Sequence, residues 1–190
     1  MKFSLSLSRA VLGALLLIAG VATPQIAQAQ MPASVATHST AKARQEIAAI
    51  YARHARAFLK KDLSVMQNAL STDYLYHFRG ESISREQSLQ ISHFQMRFFG
   101  ANYNGLSIKF VSANTKIKSF QWRGNDAIVW FESKSVASAS YQGRSRRSES
   151  VSYGREFWTP TSQGWKLRQT YVQSIRVWGN GQKVFDSDEL

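Results

Sequence analysis

"STDYLYHFRGESISREQ", residues 71–87, holds three rings, a histidine and a tight turn between two helical stretches. Tyr74, Tyr76 and Phe78 alternate with Leu75, His77 and Arg79, and this period of two predicts a strand with one aromatic face. Gly80 supplies the turn that ends the strand. Ser84 and Gln87 then have capping-box spacing: a hydroxyl to hold a free helix amide, and an amide side chain three residues on to reach back. The helix they open carries Leu89, Ile91, Phe94 and Phe98 and stops near Gly100. The stretch is a strand leading through a turn into a capped helix.

Upstream, Ile47, Ile50, Tyr51, His54 and Phe58 recur at steps of three and four, the mark of one buried helical face. Lys42, Arg53, Arg56 and Lys60 lie mostly off that stripe. Asp62 is placed to cap a short second helix with Leu63, Met66 and Leu70 on one side. Downstream of Gly105 the period changes to two. Strand-like runs cover about 107–122, 126–141, 144–158 and 165–178, separated by the turn sequences "RGND", "QG" and "TPTSQG". Four long strands joined by short turns form an antiparallel meander. Strands of this length bend, and amphipathic helices need a concave face to cover. The expected fold class is α+β, a curved antiparallel sheet wrapped over three N-terminal helices.

The beginning of the chain reads as an export signal. Lys2 and Arg9 form a basic start, Ala10 to Ala22 is apolar, and "AQA" at 27–29 has small residues where a signal peptidase reads. That run is too short to span a bilayer. We expect a signal peptide over 1–29, a leader over 30–39, one domain over 40–182 and a tail over 183–190, in a periplasmic or secreted protein. The ending "SDEL" is similar to an endoplasmic-reticulum retrieval signal, but the signal sequence reads as bacterial, so the likeness is taken as coincidence.

The chain has no cysteine, which excludes disulfides, thiol nucleophiles and thiolate metal sites. Its formal charge is +12, and loss of Lys2 and Arg9 with the signal lowers it to +10. Such a domain is drawn to anionic surfaces. His38, His54, His77 and His93 show no paired ligand spacing, so neither a metal nor another cofactor is expected. No glycine-rich phosphate loop or serine-hydrolase elbow appears. Arg144, Arg146 and Arg147 with Tyr141 and Tyr153 lack any accompanying nucleic-acid motif, so they read as a solvated strand face.

The order of elements resembles the nuclear transport factor 2-like superfamily, and within it the SnoaL-like branch. The stretches that carry the resemblance are "IYARHARAFLKKDLSVMQNALSTDYLYHFRGESISREQSL" and "REFWTPTSQGWKLRQTYVQS", within about residues 40–180. The resemblance implies a cystatin-like cone with a ligand pocket between sheet and helices. It places His54 where ketosteroid isomerases of the superfamily keep an oxyanion-stabilising tyrosine, and Phe78 where they keep an aspartate base. Tyr171 falls where SnoaL-like members often have a histidine. A phenyl ring moves no proton, so isomerisation of that type is not expected.

Sorting the acids leaves Asp73, Glu132 and Glu156 as possible partners for His54. The catalytic candidates are His54, Asp73 and Glu156; the ligand-lining candidates are Tyr51, His54, Tyr76, Phe78 and Tyr171. Plain structural roles compete with these: a core histidine bonded to a backbone carbonyl for His54, and a cross-strand ion pair for Glu156. The leading expectation is an exported domain binding a small amphipathic ligand in a conical, aromatic-lined pocket. The alternatives are a lyase, isomerase or hydratase using a histidine–carboxylate pair there, and a basic interaction module or homodimer through the sheet. The expected partners are thus a small molecule, a second copy of the chain or an anionic surface, and not nucleic acid.

Overall fold

The computed structural model describes residues 39–99, 102–103, 106–141 and 143–189. The expected signal peptide and most of the expected leader lie outside the described residues. Helix α1 (Thr40–Leu59) is followed by α2 (Ser64–Ala69), strand β1 (Leu70–Phe78), β2 (Glu81–Ser84) and α3 (Arg85–Phe98). A two-residue strand β3 (Asn102–Tyr103) precedes the long strands β4 (Leu106–Arg123), β5 (Asp126–Tyr141), β6 (Arg144–Thr161) and β7 (Gly164–Gly179), and then β8 (Gln182–Asp186). Among the described residues, no helix is long and apolar enough to cross a membrane.

The local signals act as their chemistry dictates. Ser84 caps α3: its Oγ accepts from the Gln87 amide at 3.3 Å, and its own amide donates to Gln87 Oε1 at 2.8 Å. Asp62 holds the start of α2, accepting from the amide and hydroxyl of Ser64 at 3.0 and 2.6 Å. Leu70, expected on α2, instead begins β1.

Strands β4 to β7 form the expected antiparallel meander. The sheet as a whole is mixed, however, which corrects an all-antiparallel expectation. β1 lies beside β7 in parallel, with Tyr76 opposite Thr170 and His77 opposite Tyr171. Helix α3 carries the chain from β2 at one edge to β3 at the other, and the meander then returns to set β7 beside β1. The order is β2-β1-β7-β6-β5-β4-β3, with β8 pairing β7, so residues expected as a tail belong to the sheet.

Bulges bend the long strands. Register shifts occur between Phe110 and Ser112, between Ile117 and Ser119, and at two places between β6 and β7. One of these lies between Tyr153 and Gly154, and Gly154 is obligatory there: a Cβ would stand 2.2 Å from the Tyr171 carbonyl oxygen and 2.9 Å from the Phe131 ring. Bulges increase local twist and curve the sheet. Helix α1 crosses this concave face, packing chiefly on β4. Its first half is pinned by Trp122 Nε1 donating to Thr40 Oγ1 at 3.0 Å and Trp165 Nε1 donating to Glu46 Oε2 at 2.8 Å.

The core divides into two apolar clusters. One gathers Ile47, Ile50, Tyr51, Val129, Trp158 and Leu167 under the first half of α1. The other gathers Leu63, Met96, Phe99 and Ile108, with Phe58 and Phe110 against it. A gap between them is lined by members of both.

Candidate functional site

The gap between the clusters is a cavity of about 360 Å³. Tyr51, His54 and Phe58 of α1 form its roof, and Leu63 and Met66 close one side. Its floor is the concave face of the sheet, where alternation sends every second residue inward. Phe131, Ser133 and Ser135 of β5 and Ser150, Ser152, Glu156 and Trp158 of β6 all line it. The cavity exists because small hydroxyl side chains occupy inward positions where large apolar ones would close the core. Those hydroxyls pair across strands: Thr115 Oγ1 donates to Ser133 Oγ at 3.1 Å, and Ser135 and Ser150 share a hydrogen bond at 2.8 Å.

Glu156 is the centre of the polar network. The Tyr51 hydroxyl donates to its Oε2 at 2.5 Å and Trp158 Nε1 donates to the same oxygen at 2.9 Å. Its Oε1 has one long contact, from Thr170 Oγ1 at 3.4 Å, and Thr170 in turn accepts from the Tyr74 hydroxyl at 3.1 Å. These partners are all neutral donors, so the cross-strand ion pair expected as the plain role of Glu156 does not form. Burial without a counter-ion disfavours the carboxylate and pushes Glu156 up to about 7, against the smaller opposing effect of the three hydrogen bonds. Burial and the nearby carboxylate hold the Tyr51 phenol well above its ordinary range.

His54 lines the same cavity one helical turn beyond Tyr51. Burial lowers its pKa, and a hydrogen bond to the Val65 backbone opposes this only in part. Its Nε2 is buried and has no partner, so the bond to Val65 belongs to Nδ1. A neutral ring that donates through Nδ1 presents Nε2 as an acceptor. His54 therefore fills the plain structural role with one nitrogen, while the other is buried without a partner beside the cavity its residue lines.

The remaining candidates divide cleanly. Tyr76 lines the cavity, and burial raises its phenol. Phe78 is buried but is not among the cavity's lining residues. Tyr171 alternates with the cavity-lining Thr170 and Val172 and faces the other side of the sheet, which corrects its expected place in the pocket. There its ring stacks on His77 at 4.1 Å, with the Arg155 guanidinium 5.0 Å from its centroid. Asp73 sits at the surface in an ion pair with Arg168 at 3.0 Å, apart from the lining of the cavity. Glu132 pairs with Lys118 and Lys134 at 3.4 and 3.7 Å. The structure thus brings His54 and Glu156 to one cavity and leaves Asp73 outside it. Sequence reasoning missed the hydroxyl rows, Trp158 and Thr170. The signal was present in the small residues at alternate positions of "SKSVASAS" (133–140) and "SESVS" (148–152).

A conserved protein from Planctomyces limnophilus DSM 3776 has a similar structure, with a TM-score of 0.51 at 16% identity over 67% of this chain and 91% of that one. A nuclear transport factor 2-like superfamily protein from Salmonella enterica serovar Typhimurium LT2 matches with a TM-score of 0.51 at 15% identity, over 71% and 92% of the two chains. The fold is that of the nuclear transport factor 2-like superfamily. A nuclear transport factor 2-like protein from Cytophaga hutchinsonii ATCC 33406 matches with a TM-score of 0.50 at 12% identity, over 68% and 95%. No protein-family profile matches the chain, and no curated protein does. A fold shared with many proteins does not set chemistry, which rests with the side chains that line the cavity between α1 and the concave sheet.

Proposed function

We propose that the protein is an exported ligand-binding domain whose cavity takes one small amphipathic molecule. The observation that carries this is the cavity itself: about 360 Å³ left open between two packed clusters, with rings on one part of its wall and hydroxyls on another. Apolar walls with a few convergent polar groups are what small-molecule sites share. Export rests on the composition of residues 1–29, and the SnoaL-like placement rests on the stretches quoted for it. Binding of the neutral apolar dye N-phenyl-1-naphthylamine tests the reading. One dye per chain with enhanced emission is expected, and Ser133→Phe, which fills the floor, abolishes it while the fold is retained. Equal dye response in both proteins contradicts the pocket.

A second reading has its own support. A carboxyl pushed up to about 7 in the same cavity as a free imidazole nitrogen is suited to acid–base chemistry near neutral pH, as a lyase, isomerase or hydratase would need. In that case Glu156 would supply a proton and His54 Nε2, an acceptor in the neutral ring, would receive one. Loss of turnover with retained ligand affinity in Glu156→Gln would mark the enzyme.

A further inference from the structure

The charge of the cavity is opposite to that of the protein. The chain carries 24 lysines and arginines against 12 acids, yet among the described residues no lysine or arginine lines the cavity. Its ionisable lining residues are Asp62, Glu156, His54, Tyr51 and Tyr76. Hydrogen bonds from Ser64 hold Asp62 below the usual carboxylate range, so it is charged at neutral pH. Burial keeps both phenols protonated and His54 toward its neutral form. The formal charges available to the cavity are therefore negative.

The hydrogen-bonding capacity points the same way. A tryptophan N–H only donates, so the bond from Trp158 fixes Glu156 Oε2 as an acceptor, and the Tyr51 hydroxyl fills the same oxygen. Oε1 is left with one contact at 3.4 Å. His54 Nε2 is a buried acceptor with no partner. Both under-used acceptors belong to residues that line the cavity, where no lysine or arginine stands among the described residues, and an unsatisfied buried acceptor is costly.

We infer that the ligand is a small amphipathic cation, an apolar ring or chain ending in a protonated amine, whose N–H groups are received by Glu156 Oε1 and His54 Nε2. This rests on the pocket reading above and specifies its ligand class. The amine supplies the counter-charge that Glu156 lacks, and the rings around it exclude water, where a charge-assisted hydrogen bond is strongest. An anionic ligand would meet two carboxyl groups and no cation.

Three probes with one ring and different ends decide the matter: tryptamine, tryptophol and indole-3-acetate, titrated calorimetrically into the full chain after removal of any signal. Tryptamine should bind at least about tenfold tighter than tryptophol, since one charge-assisted hydrogen bond exceeds a neutral one by that much. Indole-3-acetate should bind no better than tryptophol, and the amine preference should fall below about threefold in Glu156→Gln. A measurement on the unaltered protein covers the case in which that variant fails to fold. At pH 6, buffers of different ionisation enthalpy should show close to one proton released per tryptamine bound and none per tryptophol, because the cation drives Glu156 to ionise. Equal binding of tryptamine and tryptophol, or tightest binding of indole-3-acetate, overturns the inference and leaves the pocket reading standing. No binding of any probe at millimolar concentration overturns both.

Discussion

The Tyr51 hydroxyl donates to Glu156 Oε2 at 2.5 Å, joining the middle of the first helix to the sixth strand across 105 positions of sequence. The bond ties the roof of the cavity to its floor and leaves Oε1 as the oxygen that faces further chemistry. Tyr51→Phe removes this donor while Trp158 Nε1 still serves the same oxygen. The hydrogen bond from Tyr51 lowers the pKa of Glu156, so its loss should raise that pKa further. Denaturant titration should show a loss of about 1–2 kcal/mol, the usual worth of one buried hydrogen bond. Carboxyl ¹³C NMR reads the pKa directly, and a downward movement would contradict the role given to Tyr51.

Stability should carry the signature of Glu156 between about pH 5 and 8. The folded-state pKa, about 7, lies above the ordinary carboxyl value of 4.5. The folded protein therefore binds more protons than the unfolded chain across this interval, and the contribution of Glu156 to stability declines as pH rises through it. His54 acts in the opposite sense, since its lowered pKa favours the fold where the ring is neutral, and this contribution is lost on acidification below about 6.5. The difference between wild type and Glu156→Gln isolates the carboxyl. Melting temperatures should give wild type its greatest relative advantage near pH 5, and an advantage that grows toward pH 8 would contradict a buried, unpaired Glu156.

Phe78→Ala separates packing from binding. Phe78 is buried outside the cavity's lining, so truncation should cost about 3–5 kcal/mol of stability and leave dye affinity within about twofold. A selective loss of affinity would return Phe78 to the ligand-lining set.

The parts of this architecture written in local chemistry were legible in the sequence. The Ser84–Gln87 box, the aromatic alternation of β1 and the turns between β4 and β7 each specify their element within a few residues. The pairing of β1 with β7 was not legible, because parallel neighbours are set by tertiary packing and leave no turn signature. The short strands β2, β3 and β8 lack enough alternating positions to show a period. At the site, His54, Tyr51 and Tyr76 were found from helical and strand faces. Glu156 was found as well, but its surroundings were not, since three donors converge on it from α1, β6 and β7. Tyr171 enters the expected ligand set through the family resemblance, and in this chain it lies on the face of β7 opposite Thr170 and Val172, stacked on His77. Asp73 was plausible by type, and Arg168, 95 positions away, claims it.

The account depends most on a cavity that a molecule fills. Native mass spectrometry of the protein purified from its native host tests this directly, with Ser133→Phe prepared in parallel. The expected result is wild-type chain carrying one small adduct, released on gentle activation, and a variant that carries none. Wild type and variant both appearing at bare chain mass, under conditions where the fold is intact, would contradict it.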